Sequence, residues 1–120
     1  MDELTNVLIV DDVEPCTRLI GRLCLGLNMN PTLCYSASEA VEKLKARRYD
    51  LVITDDLMGS DMSGMDLLAL VRKEYQTTPV IMMTALDKAD YFEEMLRAGA
   101  SNYLLKPFTK EAFDAMICHE

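Results

Sequence analysis

Two pairs of adjacent carboxylates (Asp11-Asp12 and Asp55-Asp56), one hydroxyl (Thr84) and one ammonium (Lys106) each follow directly on a short apolar run. Carboxylates held a few ångströms apart repel, and each raises its neighbour's pKa unless a cation intervenes. A hard divalent cation is a suitable neutraliser. Mg2+ takes oxygen ligands, binds through one or two carboxylates, and keeps waters that a phosphate oxygen can replace. A lysine opposite suits a second phosphate oxygen, and a threonine hydroxyl a third. The set reads as a Mg2+-assisted phosphoryl site with an aspartate available as nucleophile. Each piece alone has a plainer reading: Asp-Asp after a strand is commonly a turn or helix start, Lys-Pro a turn, and a strand-end Thr structural. Their joint placement carries the chemistry.

That placement depends on the elements between them. Five β-like runs cover residues 5–10, 31–35, 50–54, 79–84 and 102–105. The first, third and fourth have apolar centres with little alternation, as expected of parallel strands covered on both faces. Between the runs lie stripes at helical spacing: Leu19, Ile20, Leu23 and Leu27; Ala40, Val41 and Leu44; Leu67, Leu68 and Val71; Phe92, Met95 and Leu96. Gly26, Asn28 and Asn30 are expected to end the first helix, and Ser36 with Glu39 to form a capping box on the second. Asp87 and Thr109 are expected to cap the fourth and fifth, and Gly99 to close the fourth. The pattern predicts one α/β domain over residues 1–120: a (βα)5 three-layer sandwich whose parallel sheet has the flavodoxin-like strand order 2-1-3-4-5. Ligands of such sheets bind beyond the carboxyl ends of the strands, where all four motifs fall.

Composition narrows the function. Of 120 residues, 50% are hydrophobic and 27% charged, the balance of a soluble globular protein. Twelve basic against twenty acidic residues give a net charge of −8, which argues against direct nucleic-acid binding and gives no support to a membrane surface as partner. No apolar run approaches the roughly 18 residues that span a bilayer. Met1-Asp2-Glu3-Leu4 lacks the basic start of a secretory signal, and Cys16, Cys24, Cys34 and Cys118 show neither CxxC nor zinc spacing. Reduced thiols and a cytoplasmic location are expected.

Several stretches resemble the CheY-like receiver domain of bacterial two-component response regulators. They are Val7-Leu8-Ile9-Val10-Asp11-Asp12, Tyr49-Asp50-Leu51-Val52-Ile53-Thr54-Asp55, Thr78-Pro79-Val80-Ile81-Met82-Met83-Thr84-Ala85, and the closing run from Ala98 through Lys106-Pro107-Phe108. The resemblance spans essentially the whole chain. It implies that Asp55 accepts a phosphoryl group from a phosphohistidine on a sensor histidine kinase or phosphotransfer protein. Asp11, Asp12, Asp55 and the backbone carbonyl of Leu57 would hold Mg2+. Lys106 would pair with the acyl phosphate, and the peptide before Pro107 would be cis. Thr84 would bond the phosphoryl group and Tyr103 would turn inward with it. That alters the face formed by the fourth helix, fifth strand and fifth helix, where a downstream protein or a second copy would dock. On this reading the protein is a signalling module that catalyses its own aspartyl phosphorylation and dephosphorylation. It is not a turnover enzyme. Leu57 and Leu86, two beyond the acceptor and the switch threonine, cannot orient a water, so a long-lived acyl phosphate is expected.

The loop after the third strand departs from the family. Met58 stands three residues past Asp55, but Gly59 replaces the usual Pro, and Gly64 falls at plus nine, one residue late. Counting from Asp56 restores that glycine but displaces Met58, so Asp56 is the alternative acceptor; Asp55 is preferred because it follows the apolar run directly. The altered loop keeps open a degenerate receiver that only docks proteins. An FMN binder of the same fold would need a phosphate loop where Asp11-Asp12 stands, and a metal-dependent phosphatase lacks a general base, since His119 is a tail residue. The methionines read as core filling, with Met58, Met62 and Met65 clustered around the variant loop. Only a short helix has room to follow the fifth strand. The chain is therefore either a stand-alone receiver or a receiver module of a longer protein.

Overall fold

The computed structural model describes residues 5–59 and 62–118. The readings made above of Met1-Asp2-Glu3-Leu4 and of His119 fall outside them. Ten elements alternate strictly: β1 (Thr5–Val10), α1 (Glu14–Gly26), β2 (Met29–Cys34), α2 (Ala37–Ala46), β3 (Leu51–Asp55), α3 (Gly64–Glu74), β4 (Val80–Thr84), α4 (Ala89–Arg97), β5 (Asn102–Leu105) and α5 (Lys110–Cys118). The five strands form one parallel sheet in the order β2-β1-β3-β4-β5. This is the expected three-layer sandwich.

The pleat divides the core in two. Val7 and Ile9 of β1, Ile53 of β3, Ile81 and Met83 of β4 and Leu104 of β5 face α1 and α5, packing with Ile20, Cys24 and Phe113. Leu8, Val10, Val52, Val80 and Met82 face the other way, toward Leu44 of α2, Leu67, Leu68 and Val71 of α3, and Met95 of α4. Successive side chains of a strand point to opposite faces, so runs apolar throughout satisfy both layers.

Several boundaries differ from expectation. β2 starts at Met29, so Asn30 lies inside the strand; Asn28, with φ 61°, makes the turn that ends α1. β3 runs one residue later than read from the sequence, to Asp55 itself. The N-cap of α4 is Lys88, without a side-chain cap bond, not Asp87. Ser36 accepts from the Glu39 amide at 3.1 Å, but the Glu39 carboxylate reaches the Tyr35 amide, not that of Ser36. Leu19 and Leu96 are exposed at 52% and 44%; the buried stripe of α1 is Thr17, Ile20, Gly21 and Cys24. Thr109 does cap α5, accepting from Ala112 N at 3.0 Å, and Gly99, at φ 110°, closes α4.

Candidate functional site

The pleat also decides which strand-end side chains meet. Asp11 lies two residues past Ile9, Asp55 two past Ile53, and Lys106 two past Leu104, and all three of those apolar side chains face α1 and α5. Ile9 pairs with Ile53 in register, so Asp11 and Asp55 leave their strands side by side. Lys106 Nζ donates to Asp11 Oδ2 at 2.8 Å and lies 3.1 Å from Asp55 Oδ1. Asp12 joins them: one carboxylate oxygen each from Asp11, Asp12 and Asp55 lie within 4.8 Å of one another. The Lys106–Pro107 peptide is cis, as expected.

Local bonds hold this cluster. Asp11 Oδ1 accepts from Val13 N at 3.0 Å, its carbonyl accepts from Thr17 Oγ1 at 2.8 Å, and Asp12 Oδ2 accepts from Gly59 N at 2.8 Å. The last bond needs an N–H at position 59, which the proline usual in this family would lack. Lys106 N donates to the Thr84 carbonyl at 2.7 Å, tying the end of β5 to the end of β4.

Asp11 and Thr84 are fully buried, and Asp55 is 8% exposed. Burial pushes the Asp55 carboxyl up to about 6. The hydrogen bond and charge of Lys106 oppose that rise, and the nearby Asp11 and Asp56 reinforce it. Burial alone would lower the Lys106 ammonium, but its bonds to Asp11 and Asp55 outweigh that and raise it. Three converging carboxylates, two of them paired with one ammonium, leave a surplus of negative charge and free oxygen lone pairs, a donor set that fits a hard cation such as Mg2+.

A shallow depression beside this cluster is lined by Asp55, Asp56, Leu57, Thr84, Ala85, Leu86 and Lys106. Thr84 Oγ1 accepts there from Leu86 N at 3.0 Å. Leu57 and Leu86 are 72% and 43% exposed. Asp56 belongs to a different network: Oδ1 accepts from Leu57 N at 2.9 Å, and Oδ2 from the Tyr91 hydroxyl at 2.7 Å. One residue beyond Asp55, it points toward the α4 layer, as alternation requires. Tyr103 is half-buried with its ring stacked on Phe92, centroids 4.1 Å apart. Tyr91 was not singled out from the sequence, where the available signal was an acceptor carboxylate, Asp56, on the α4-facing parity. Gly59 stood out only as a departure from proline, and the bond from its amide to Asp12 was not foreseen.

The response regulator receiver domain family model matches residues 7–118, and the chain belongs to that family. The chain is 38% identical over 114 residues to the signal transduction histidine-protein kinase BarA of Escherichia coli, covering 93% of this chain and 12% of BarA. It is 34% identical over 116 residues to the response regulator ArlR of Staphylococcus haemolyticus, covering 95% of this chain and 51% of ArlR. Among solved structures, the chemotaxis response regulator CheY4 of Vibrio cholerae superposes with a TM-score of 0.91 at 25% identity, over 98% of both chains. The chain thus spans about an eighth of one of these curated relatives and about half of the other. Receiver domains are signalling modules that interact with histidine kinases or phosphotransfer proteins and typically bind Mg2+ at an acidic pocket. Among the described residues, no helix is long and apolar enough to cross a membrane.

Proposed function

We propose that this chain is a single receiver domain in which Asp55 accepts a phosphoryl group from the phosphohistidine of a sensor histidine kinase or phosphotransfer protein. The observation that carries the reading is the Lys106 ammonium held between Asp11 and Asp55, with Asp12 alongside. Asp11, Asp12, Asp55 and the Leu57 carbonyl would hold Mg2+, which when bound offsets the negative charge gathered at the transferring group. An Asp55 oxygen forms the new O–P bond as the N–P bond of the phosphohistidine breaks, and the electron pair of that bond stays on the imidazole nitrogen. Lys106 needs little movement to follow charge from the carboxylate onto the phosphoryl oxygens, the positioning and electrostatic work that dominates this chemistry.

Thr84 exchanges its bond from Leu86 N for one to a phosphoryl oxygen, and Tyr103 leaves Phe92 to turn inward. The face of α4, β5 and α5 changes, and a downstream protein or a second copy reads the change. The work is cytoplasmic and involves neither nucleic acid nor membrane directly.

Incubation with Mg2+ and acetyl phosphate, followed by intact mass measurement, tests this. One added phosphoryl group is expected on the wild type and on Asp56→Asn, and none on Asp55→Asn. Modification of Asp55→Asn but not Asp56→Asn would move the acceptor to Asp56. An unmodified wild type would support a receiver that only docks proteins.

A further inference from the structure

The first turn of α4 is lightly anchored. Its N-cap Lys88 makes no side-chain cap bond, and Met95 is the one buried residue of the helix. Residues 85–90 are all exposed. Two consecutive side chains make up the deficit: the Tyr91 hydroxyl donates to Asp56 Oδ2 at 2.7 Å, and the Phe92 ring stacks on Tyr103. The amides of Tyr91 and Phe92 both donate to the Lys88 carbonyl at 3.1 Å, so they report whether this turn is formed.

Asp56 is a consequential anchor. It is 4% exposed, spends its other oxygen on Leu57 N, and lines the same depression as Asp55, Thr84 and Lys106. Among the described residues, Lys106 pairs with Asp11 and Asp55, and no ion pair reaches Asp56. A phosphoryl group on Asp55 brings further negative charge and strong acceptor oxygens into that depression. Like charges this close in a poorly solvated site repel strongly. The side chain that must yield is Asp56, and Tyr91 holds its other end.

We infer that Tyr91 is a positioning residue acting through Asp56. Their hydrogen bond relays occupancy of Asp55 to the first turn of α4, on a path separate from Thr84 and Tyr103. The inference rests on Asp55 being the acceptor. The Asp56 charge responds to the phosphoryl group, and the Tyr91 bond is what that response breaks.

Hydrogen exchange of the Tyr91 and Phe92 amides, with and without Mg2+ plus beryllofluoride as phosphoryl mimic, tests it. In the wild type, saturation is expected to speed exchange of both amides about tenfold, the effect of losing a hydrogen bond to a charged group. In Tyr91→Phe they exchange fast beforehand and saturation adds nothing. In Asp56→Asn the amide oxygen still accepts from Tyr91 but carries no charge, so the amides stay protected with and without the mimic. A merely structural bond would leave Asp56→Asn responding like the wild type; that result, or saturated wild type with unchanged exchange, overturns the relay alone. A wild type that fails to bind the mimic, read by fluorine NMR, defeats the acceptor reading and the relay with it.

Discussion

Gly64, the first residue of α3, lies so close to Asp55, the last of β3, that a Cβ on Gly64 would overlap the Asp55 carbonyl oxygen. Its amide also donates to the Asp56 carbonyl at 2.9 Å. The chain leaves the sheet at the acidic pair, and after the variant loop it must return to the same backbone it left. This contact sets the far end of that loop whatever number of residues lies between.

Gly64→Ala is therefore expected to destabilise the fold by about 2–3 kcal/mol, as overpacking against backbone does. The obstruction is main chain, including the Asp56 Cα, and no flexible side chain is there to yield. Urea denaturation reads the change directly. A loss under half a kilocalorie per mole would mean that the start of α3 can slide away from β3.

Asp55 links stability to pH. Burial, the largest cause, raises its carboxyl from 3.8 to about 6, so the folded chain holds this proton more tightly than the unfolded one. The stabilising contribution is full below pH 3.8 and lost as pH rises through about 6. Above that range the ionised, poorly solvated carboxylate costs on the order of 3 kcal/mol. In chelator-treated buffer Asp55→Asn should melt higher than the wild type at pH 7.5, with the advantage gone by pH 4. An advantage that grows on acidification contradicts the assignment.

Asp12 is exposed, and an asparagine oxygen there can still accept from Gly59 N. Asp12→Asn should leave the metal-free fold within about 0.5 kcal/mol of the wild type, as surface substitutions usually do. It should nonetheless weaken Mg2+ binding about tenfold or more by removing one anionic oxygen donor. Calorimetric titration with Mg2+ separates the two effects, and undiminished affinity would take Asp12 out of the ligand set.

Leu57 and Leu86 border the depression beside Asp55, and neither side chain can hold an attacking water. The acyl phosphate should persist well beyond seconds once donor is removed. Leu57→Asn or Leu86→Glu should shorten its life about tenfold or more, toward what a positioned polar group supplies. Decay followed by intact mass distinguishes these outcomes, and a wild-type lifetime of only seconds would count against the expectation.

The sheet was readable because Val7–Val10, Leu51–Ile53 and Val80–Met83 are apolar on both faces, which few structures other than a covered parallel strand explain. Asp11, Asp55 and Lys106 followed from strand ends alone. Side-chain length and long-range geometry hid the rest. The +1 step in Leu19-Ile20 makes a stripe too broad to say which leucine faces solvent, and the structure leaves Leu19 out. Asp87 has the chemistry of a cap, but the chain turns one residue later. The Ser63–Asp66 capping box of α3 was legible in principle, a serine three residues before an acid. The bond from Tyr91 to Asp56 joins positions 35 apart, with no local pattern to announce it.

Lys106 grips a carboxylate 95 residues earlier in the chain. A ribosome-bound polypeptide that has not yet released β5 already carries every acidic member of the pocket but lacks the amine that balances them. A degradation fragment cut before residue 106 is in the same condition. On the proposed reading, the balanced pocket is complete only once β5 and the lysine that follows it are in place.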